Sequence, residues 1–228
     1  MDWDNDGKKD LISGDYGGHV WFFRNIGTPL APVLAAGVQI LSDGKPIAGV
    51  RAGGEKGEDG KVRQDSHDVN VMGVYSKIHI GDWNGDGLDD LLVGQVGPGG
   101  QQMVVYINIG TRGEPRLGKP EVLILPELAI GQPSPFLIDW DGDGLQDLLC
   151  GTESGPPLFF RNIGSKTVPV LAKGKTILLQ GDGFEQGYRN RIWITDWNND
   201  GKRDLLIGNC YSEKDQTLTG NVWLFLGK

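Results

Sequence analysis

The stretch DWDGDGLQD at residues 139–147 indicates how this chain folds, because closely similar stretches occur three more times. Every copy has Asp at positions 1, 5 and 9, Asp or Asn at position 3, Trp at position 2 and Gly at position 6. Four copies in 228 residues indicate a repeat protein. We name them loops 1 to 4 in chain order: DWDNDGKKD at 2–10, DWNGDGLDD at 82–90, DWDGDGLQD at 139–147 and DWNNDGKRD at 196–204.

The segments between the loops have the pattern of short strands. A short apolar run ending in Gly follows each loop, then come a polar turn and an aromatic strand candidate, as in residues 20–25 and 158–162. A third candidate follows, at residues 38–41 in the first repeat, and a fourth leads into the next loop. Such small sheets bury both faces only by stacking on one another. We therefore predict an all-β fold, a β-propeller of four-stranded antiparallel blades with four repeat units.

The loop spacing predicts one domain over residues 1–228 with four unequal units. The loops begin at residues 2, 82, 139 and 196, so the intervals are 80, 57 and 57 residues. We expect an incomplete ring, because the first unit lacks its opening strand and the last lacks its closing strand. A homodimer or additional blades from a longer parent chain would complete it. The units run approximately over 1–76, 77–134, 135–190 and 191–228, with an insertion at approximately 42–74.

The acidic loops have the donor set of a calcium site. Oxygen donors stand at positions 1, 3, 5 and 9, a backbone carbonyl is available at position 7, and no loop contains His or Cys, which makes zinc and copper poor fits. Ca²⁺ takes 6–8 oxygen ligands, and the position-6 glycine permits a sharp turn. The flanking segments read as strands, unlike those of an EF-hand. Four Ca²⁺ would offset the formal net charge of −8. The alternative is four Asx-type turns without metal.

In these residues the chain resembles the FG-GAP/VCBS repeat family, the propeller repeats of integrin α-subunit heads and of many bacterial secreted proteins. The resemblance implies a calcium-bound β-propeller that is secreted or at the cell surface, although this chain shows no signal-peptide pattern. It implies about four Ca²⁺, one per repeat. The implied ligands are Asp2, Asp4, Asp6, the Lys8 carbonyl and Asp10; Asp82, Asn84, Asp86, the Leu88 carbonyl and Asp90; Asp139, Asp141, Asp143, the Leu145 carbonyl and Asp147; Asp196, Asn198, Asp200, the Lys202 carbonyl and Asp204.

Composition and charge limit the classes of binding partner that the chain can have. A net charge of −8 and a pI near 4.9 disfavour nucleic acid, whose partners usually carry a basic face. No apolar run approaches the length of a membrane span. We expect a non-catalytic module that binds a glycan or protein ligand, as in adhesion. The alternatives are the propeller part of a polysaccharide lyase or other carbohydrate-active enzyme, and a structural spacer in a larger surface protein.

Only weak catalytic candidates are available. His67, Tyr75 and His79 could serve a lyase, and the sequence has no Ser-His-Asp order, no GxSxG motif and no Gly-rich phosphate loop, so no cofactor-binding residues are predicted. We interpret the position-2 Trp of each loop as inter-blade packing rather than a sugar platform. The Arg-Asn pairs at 24–25 and 161–162 are expected to pair with carboxylates at strand ends.

Overall fold

The fold is described from a computed structural model, in which the chain forms two compact units, Met1–Ile124 and Leu125–Lys228. No α-helix occurs in the described parts of the chain, so no helix there is long and apolar enough to cross a bilayer. The structure describes residues 1–48, 55–56, 62–63, 70–71, 73–97, 100–125, 128, 132–177, 179, 187–212 and 218–227.

The strands are short, and most lie where the apolar and aromatic runs predict them. In chain order they are β1 (Leu11–Gly14), β2 (Val20–Phe23), β3 (Val38–Gln39), β4 (Leu41–Ser42), β5 (Lys45–Ala48), β6 (Glu55–Lys56), β7 (Val62–Arg63), β8 (Asn70–Val71), β9 (Val74–Gly81), β10 (Asp90–Gly97), β11 (Gly100–Asn108), β12 (Leu117–Leu123), β13 (Ser134–Ile138), β14 (Asp147–Gly151), β15 (Leu158–Phe160), β16 (Lys175–Thr176), β17 (Tyr188–Thr195), β18 (Asp204–Ser212) and β19 (Leu218–Phe225).

The first compact unit, Met1–Ile124, holds the sheets of repeats 1 and 2. Sheet 1 has the order β1-β2-β3, and sheet 2 has the order β8-β5-β4-β12-β11-β10-β9. The strands β6 and β7 form a separate antiparallel pair. Sheet 2 is larger than predicted because β4 pairs in parallel with β12, where Ser42 lies opposite Leu117 and its hydroxyl donates to the Gly118 carbonyl at 2.6 Å. The predicted third strand of repeat 1, residues 38–41, is therefore divided between the two sheets.

The second unit holds the other two sheets, which keep the predicted strand numbers. Sheet 3 is the four-stranded meander β13-β14-β15-β16, and sheet 4 is the three-stranded meander β17-β18-β19. The all-β class is thus confirmed. A uniform set of four-stranded sheets is not what forms, because the four sheets contain three, seven, four and three strands.

Apolar side chains from successive sheets pack together within each unit. In the first unit Leu91, Val93 and Tyr106 of sheet 2 are buried in one cluster, against which Ile12 and Phe22 of sheet 1 pack. In the second unit the buried residues come from sheets 3 and 4: Phe136, Leu149, Ile192, Leu205 and Ile207. Burial of such side chains is worth about 1.5–3 kcal/mol each relative to exposure, so face-to-face packing stabilises both units.

Two backbone hydrogen bonds connect sheet 3 to sheet 4, and we call this contact the joint. The amides of Arg189 and Asn190, in β17, donate to the carbonyls of Glu153 and Thr152 at 2.7 and 2.9 Å. The chain comes so close that a Cβ on Gly151 would lie 2.2 Å from the Asn190 carbonyl oxygen. Glycine at the end of this strand is therefore required by contact with the next sheet.

The same joint recurs between sheets 1 and 2. The amides of Tyr75 and Ser76 donate to the carbonyls of Tyr16 and Asp15 at 3.1 and 3.0 Å, and a Cβ on Gly14 would lie 2.2 Å from the Ser76 carbonyl oxygen. Tyr75 has a φ of 62°, and its counterpart in β17 has a φ of 57°. The glycine that ends each apolar run thus serves inter-sheet contact in both units.

Candidate metal centres

The four loops share one backbone conformation. Position 4, which is Asn or Gly, and position 6, which is always Gly, both have left-handed φ angles in every loop. Asn and Gly are the residues that adopt this region at least cost. Two left-handed residues within three positions turn the chain back on itself. The angles at positions 4 and 6 are 56° and 86° for Asn5 and Gly7, 69° and 86° for Gly85 and Gly87, 77° and 85° for Gly142 and Gly144, and 58° and 83° for Asn199 and Gly201.

Backbone amides hold the position-1 and position-5 carboxylates in the same way in all loops. The position-6 amide donates to Oδ2 of the position-1 Asp at 2.8–3.0 Å. The position-7 amide donates to Oδ1 of the position-5 Asp at 2.8–3.0 Å. The residues predicted to offer a carbonyl, Lys8, Leu88, Leu145 and Lys202, are therefore the donors that orient the position-5 carboxylate.

The position-9 Asp is the buried anchor of each loop. Asp90, Asp147 and Asp204 are 0% exposed and Asp10 is 8% exposed. Oδ2 accepts from the position-2 amide at 2.7–3.0 Å. Oδ1 accepts from an amide at the end of the aromatic strand, at residues 25, 108, 162 and 227, at 2.7–2.8 Å. The predicted ligand thus fastens its loop to the sheet as well, a role that the sequence pattern did not reveal.

In loops 1 and 3 the structure brings three predicted ligands together. One carboxylate oxygen from each of positions 1, 3 and 9 lies within 4.8 Å of the others. The groups are Asp2, Asp4 and Asp10 in loop 1, and Asp139, Asp141 and Asp147 in loop 3. Three carboxylates this close repel one another unless a cation lies among them.

Two buried carboxylate oxygens point to a missing partner. Asp4 Oδ1 and Asp82 Oδ1 are shielded from solvent and have no hydrogen-bond partner. Buried polar atoms are nearly always satisfied, so each needs a donor or a cation. Both belong to predicted ligand sets made of hard oxygens alone. Such donors fit Ca²⁺, which would be held by positions 1, 3, 5 and 9 and would neutralise their charge.

The pKa values of the loop carboxylates differ between the buried position-9 Asp of loops 2 and 3 and the exposed position-5 Asp of loop 4. Burial raises the pKa of Asp90 to about 6, and the nearby Asp86 carboxylate adds to the effect, while amide donors oppose it. Burial likewise raises the pKa of Asp147 in loop 3. In contrast, hydrogen bonds from the Lys202 amide and the Asn198 side chain lower the pKa of Asp200 in loop 4. The buried anchors are the carboxylates that a bound cation would help most to ionise.

Arginine side chains reach loops 1 and 3, as predicted for the Arg-Asn pairs. Arg24 Nε lies 2.7 Å from Asp4 Oδ2, and its Nη2 lies 3.2 Å from Asp6 Oδ2. Arg161 forms the equivalent pair, with Nε at 2.5 Å from Asp141 Oδ2 and Nη2 at 2.9 Å from Asp143 Oδ2.

The asparagines of the same pairs contact the carboxylates of Asp10 and Asp147 through their backbone amides, while their side chains have another role. Asn25 and Asn162 are 1% exposed, and each Oδ1 accepts two backbone amides of the following turn at 3.0–3.1 Å. Asn108 does the same in repeat 2. These asparagines hold the turn after the aromatic strand. The recurring Asn-Ile-Gly at 25–27, 108–110 and 162–164 was the signal for this role.

The position-2 tryptophans divide between the two units. Trp3 and Trp83 are buried, at 7% and 5% exposure, as expected for packing. Trp140 and Trp197 are 37% and 60% exposed, so the packing prediction is wrong for Trp197 and holds only in part for Trp140. Trp140 meets Phe159 with ring centroids 6.4 Å apart.

The weak catalytic candidates are not assembled into a described site. His67 and most of the predicted insertion lie outside the described residues. Tyr75 packs edge-to-face on Tyr16, with ring centroids 4.4 Å apart. Burial lowers the pKa of His79 to about 4, which leaves its imidazole neutral at physiological pH. A catalytic role for these residues stays a prediction.

Comparison with known families agrees with the repeat pattern. The sequence model of the FG-GAP-like repeat matches residues 82–150 and 139–207, which together span more than half of the chain. A search of curated proteins finds no match. The chain belongs to the FG-GAP-like repeat family.

Proposed function

We propose that the chain is a calcium-stabilised, non-catalytic module of the β-propeller type that acts outside the cell and binds a glycan or protein ligand. Its membership of the FG-GAP-like repeat family supports the propeller-type fold, and such repeats are typical of extracellular proteins. Each repeat contributes one blade. The meander β13-β14-β15-β16 and the consecutive strands β9 to β12 are the sheets that support four strands per blade.

The observation that carries the calcium proposal is the unpartnered buried oxygen of Asp4 and of Asp82. Each belongs to a loop whose other predicted ligands are oxygens, and in loop 1 Asp4 lies in the carboxylate trio. Ca²⁺ accepts irregular sets of 6–8 oxygens, whereas Mg²⁺ requires a tighter octahedron. A divalent ion in each loop would satisfy these oxygens and relieve the repulsion among the carboxylates.

Thermal unfolding tests the calcium proposal. Binding to the folded state alone stabilises it by RT ln(1 + [L]/Kd), about 2.7 kcal/mol per site at a hundredfold excess over Kd. We therefore expect a large rise in melting temperature when CaCl₂ replaces EDTA, and a smaller rise with MgCl₂. Equal melting curves in EDTA and CaCl₂ would contradict the proposal.

An aspartate within a loop but outside the ligand positions provides a control for substitution of a ligand. Asp143 is at ligand position 5 of loop 3, whereas Asp89 is at position 8 of loop 2, outside the ligand set. Asp143→Ala should reduce the stabilisation by calcium more than Asp89→Ala does. If the two substitutions reduce it equally, the assignment of position 5 as a ligand is wrong.

A cleft in the second unit supports the glycan-binding part of the proposal. Its volume is about 340 Å³, and its walls include Trp140, Phe225, Lys202 and Arg203. An exposed indole ring beside cationic side chains suits a sugar ring that carries a carboxylate. A glycan array should therefore report acidic sugars, with a weaker signal for Trp140→Ala. Silence on glycan and protein arrays would instead support a structural spacer.

A further inference from the structure

We infer that Arg24 and Arg161 are counter-charges built into loops 1 and 3. Each donates the hydrogen bond to the position-5 Asp that Asn84 and Asn198 donate in loops 2 and 4. The arginine gives loop 3 the same ligand charge as loop 2, and loop 1 the same ligand charge as loop 4. This inference rests on the proposed cation binding and deepens it, because it says how the affinity of each loop is set.

The sequence itself contains the comparison. Loops 2 and 3 are identical except at position 3, where Asn84 replaces Asp141, and at position 8. Loops 1 and 4 also differ only at position 3, where Asp4 is replaced by Asn198, and at position 8. In both pairs the loop with Asp has Arg near the end of the following aromatic strand. The loop with Asn has Ile107 or Leu226 at that place.

The structure shows that the two solutions serve the same atom, Oδ2 of the position-5 Asp. In loop 3 the donor to Asp143 Oδ2 is Arg161 Nη2 at 2.9 Å. In loop 2 the donor to Asp86 Oδ2 is the position-3 amide, Asn84 Nδ2, at 3.0 Å.

The other pair of loops repeats this exchange. Arg24 Nη2 donates to Asp6 Oδ2 at 3.2 Å in loop 1, and Asn198 Nδ2 donates to Asp200 Oδ2 at 3.1 Å in loop 4. Lys8 also lies 3.1 Å from Asp6 Oδ2, and Lys202 occupies the same position in loop 4. The lysine is therefore common to both loops, and the difference between them remains the exchange of Asp with Arg for Asn with Leu.

Charge is conserved along with the hydrogen bond. Over positions 1, 3, 5 and 9, loops 2 and 4 carry three carboxylates. Loops 1 and 3 carry four carboxylates and one guanidinium that contacts two of them. Loops 2 and 3 therefore both present a net charge of about −3 to a cation, and the lysine at position 7 reduces this charge alike in loops 1 and 4, so the two loops of each pair match. Affinity for Ca²⁺ depends on that charge.

Each arginine contacts Oδ2 of the position-3 carboxylate, and in loop 1 this leaves Oδ1 for the cation. Arg24 Nε contacts Asp4 Oδ2, while Asp4 Oδ1 is the buried oxygen without a hydrogen-bond partner. In loop 3 the corresponding oxygen, Asp141 Oδ1, accepts the Asp143 amide at 3.3 Å. In both loops the position-3 carboxylate that the arginine contacts lies in the trio with positions 1 and 9. Arg24 and Arg161 are positioning residues, because they act on the cation through a ligand.

Loop 3 is the best place for the test, because two substitutions give it the position-3 residue and the strand-end residue of loop 2. The variants are Asp141→Asn, Arg161→Ile and the double substitution, all in the full chain. The amide resonances of Gly142 and Gly144 in ¹⁵N NMR spectra report occupation of this loop alone during a CaCl₂ titration. Thermal unfolding in EDTA reports the stability without cation.

The two single substitutions should move the affinity in opposite directions. Arg161→Ile leaves a charge of about −4, so half-saturation should need about tenfold less calcium, and the melting temperature in EDTA should fall because the carboxylates lose their counter-charge. Asp141→Asn should require about tenfold more calcium, and the double substitution should return within about threefold of the parent. Arg116→Ile, in an exposed turn where Arg116 donates to the Ile109 carbonyl, should change neither quantity.

Unchanged or weaker calcium binding by Arg161→Ile would overturn the inference, as would a double substitution no closer to the parent than the worse single one. If Arg161→Ile does not fold in EDTA, Arg24→Leu in loop 1 tests the same point against loop 4. Failure of the proposed function has a different signature: the parent's Gly144 resonance would not respond to millimolar CaCl₂. The EDTA melts would then still decide the counter-charge, since the double substitution should restore what Arg161→Ile loses.

Discussion

Repeats 3 and 4 have the same motif, and yet their corresponding residues differ in exposure. Phe136 is 8% exposed in sheet 3, and Trp193, three residues before loop 4, is 59% exposed in sheet 4. A Cβ on Gly151 would collide with the next sheet, while a Cβ on Gly208, its counterpart, would meet only Arg191 Cβ at 3.9 Å. The comparison separates what a repeat builds for itself from what the neighbouring sheet imposes.

The loops belong to the first group. Loops 3 and 4 have the same two left-handed positions and the same amide bonds to positions 1, 5 and 9. All these bonds are made within a few residues of the chain or to the sheet of the same repeat. Burial of the apolar faces belongs to the second group, since it requires a neighbouring sheet.

The largest expected effect comes from adding one methyl group at the joint. Gly151→Ala should destabilise the protein by about 3 kcal/mol or more, because a backbone carbonyl must move to admit the Cβ. Gly208→Ala should change the stability by less than about 1 kcal/mol, since the space is open. Urea unfolding of both variants measures the difference, and equal losses would show that glycine serves the repeat itself rather than the joint.

Removal of the buried anchor should affect the two repeats alike. Asp147→Ala and Asp204→Ala each leave two backbone amides without their carboxylate acceptor, which should cost about 2–3 kcal/mol in either repeat. The measurement is urea unfolding in EDTA, so that cation binding does not contribute. A much smaller loss for Asp204→Ala would extend the difference between the repeats to the loops.

The effect that is smallest at neutral pH concerns the position that is Phe136 in repeat 3 and Trp193 in repeat 4, and that is His79 in repeat 2. Burial lowers the folded-state pKa of His79 from 6.5 to about 4, so the unfolded chain takes up the proton first as the pH falls. The parent should therefore lose stability between pH 6.5 and about 4.

His79→Phe should remove part of this acid sensitivity, because phenylalanine has no proton to bind. Unfolding free energies measured across that pH range for parent and variant provide the test. Parallel loss of stability in the two proteins would assign the acid sensitivity to other groups.

The strand-and-loop pattern and the family could be predicted because they depend on local sequence. The nine-residue motif determines its own turn through Gly144 and its counterparts, and the aromatic runs lie in strands. Pairing of Arg161 with the loop carboxylates followed from opposite charge at adjoining strand ends. The dual hydrogen bonding of Asp147 was missed, because one of its donors lies fifteen residues away, just past the end of β15.

Other features depended on contacts between distant segments of the chain, which the sequence does not identify. The parallel pairing of β4 with β12 joins residues more than seventy positions apart, and it enlarges sheet 2 beyond four strands. The exposure of Trp197 compared with Trp83 depends on which surface faces each indole, although the two occupy the same motif position.

The amino-acid sequence by itself determined the four acidic turns, their oxygen donors and the short strands around them, because glycine and asparagine conformations and side-chain chemistry act over a few residues. Only the tertiary structure decided which carboxylates are buried anchors, which oxygens have no partner, and which arginine compensates which loop. Those properties arise where separate strands meet, since burial and charge compensation depend on distance in space.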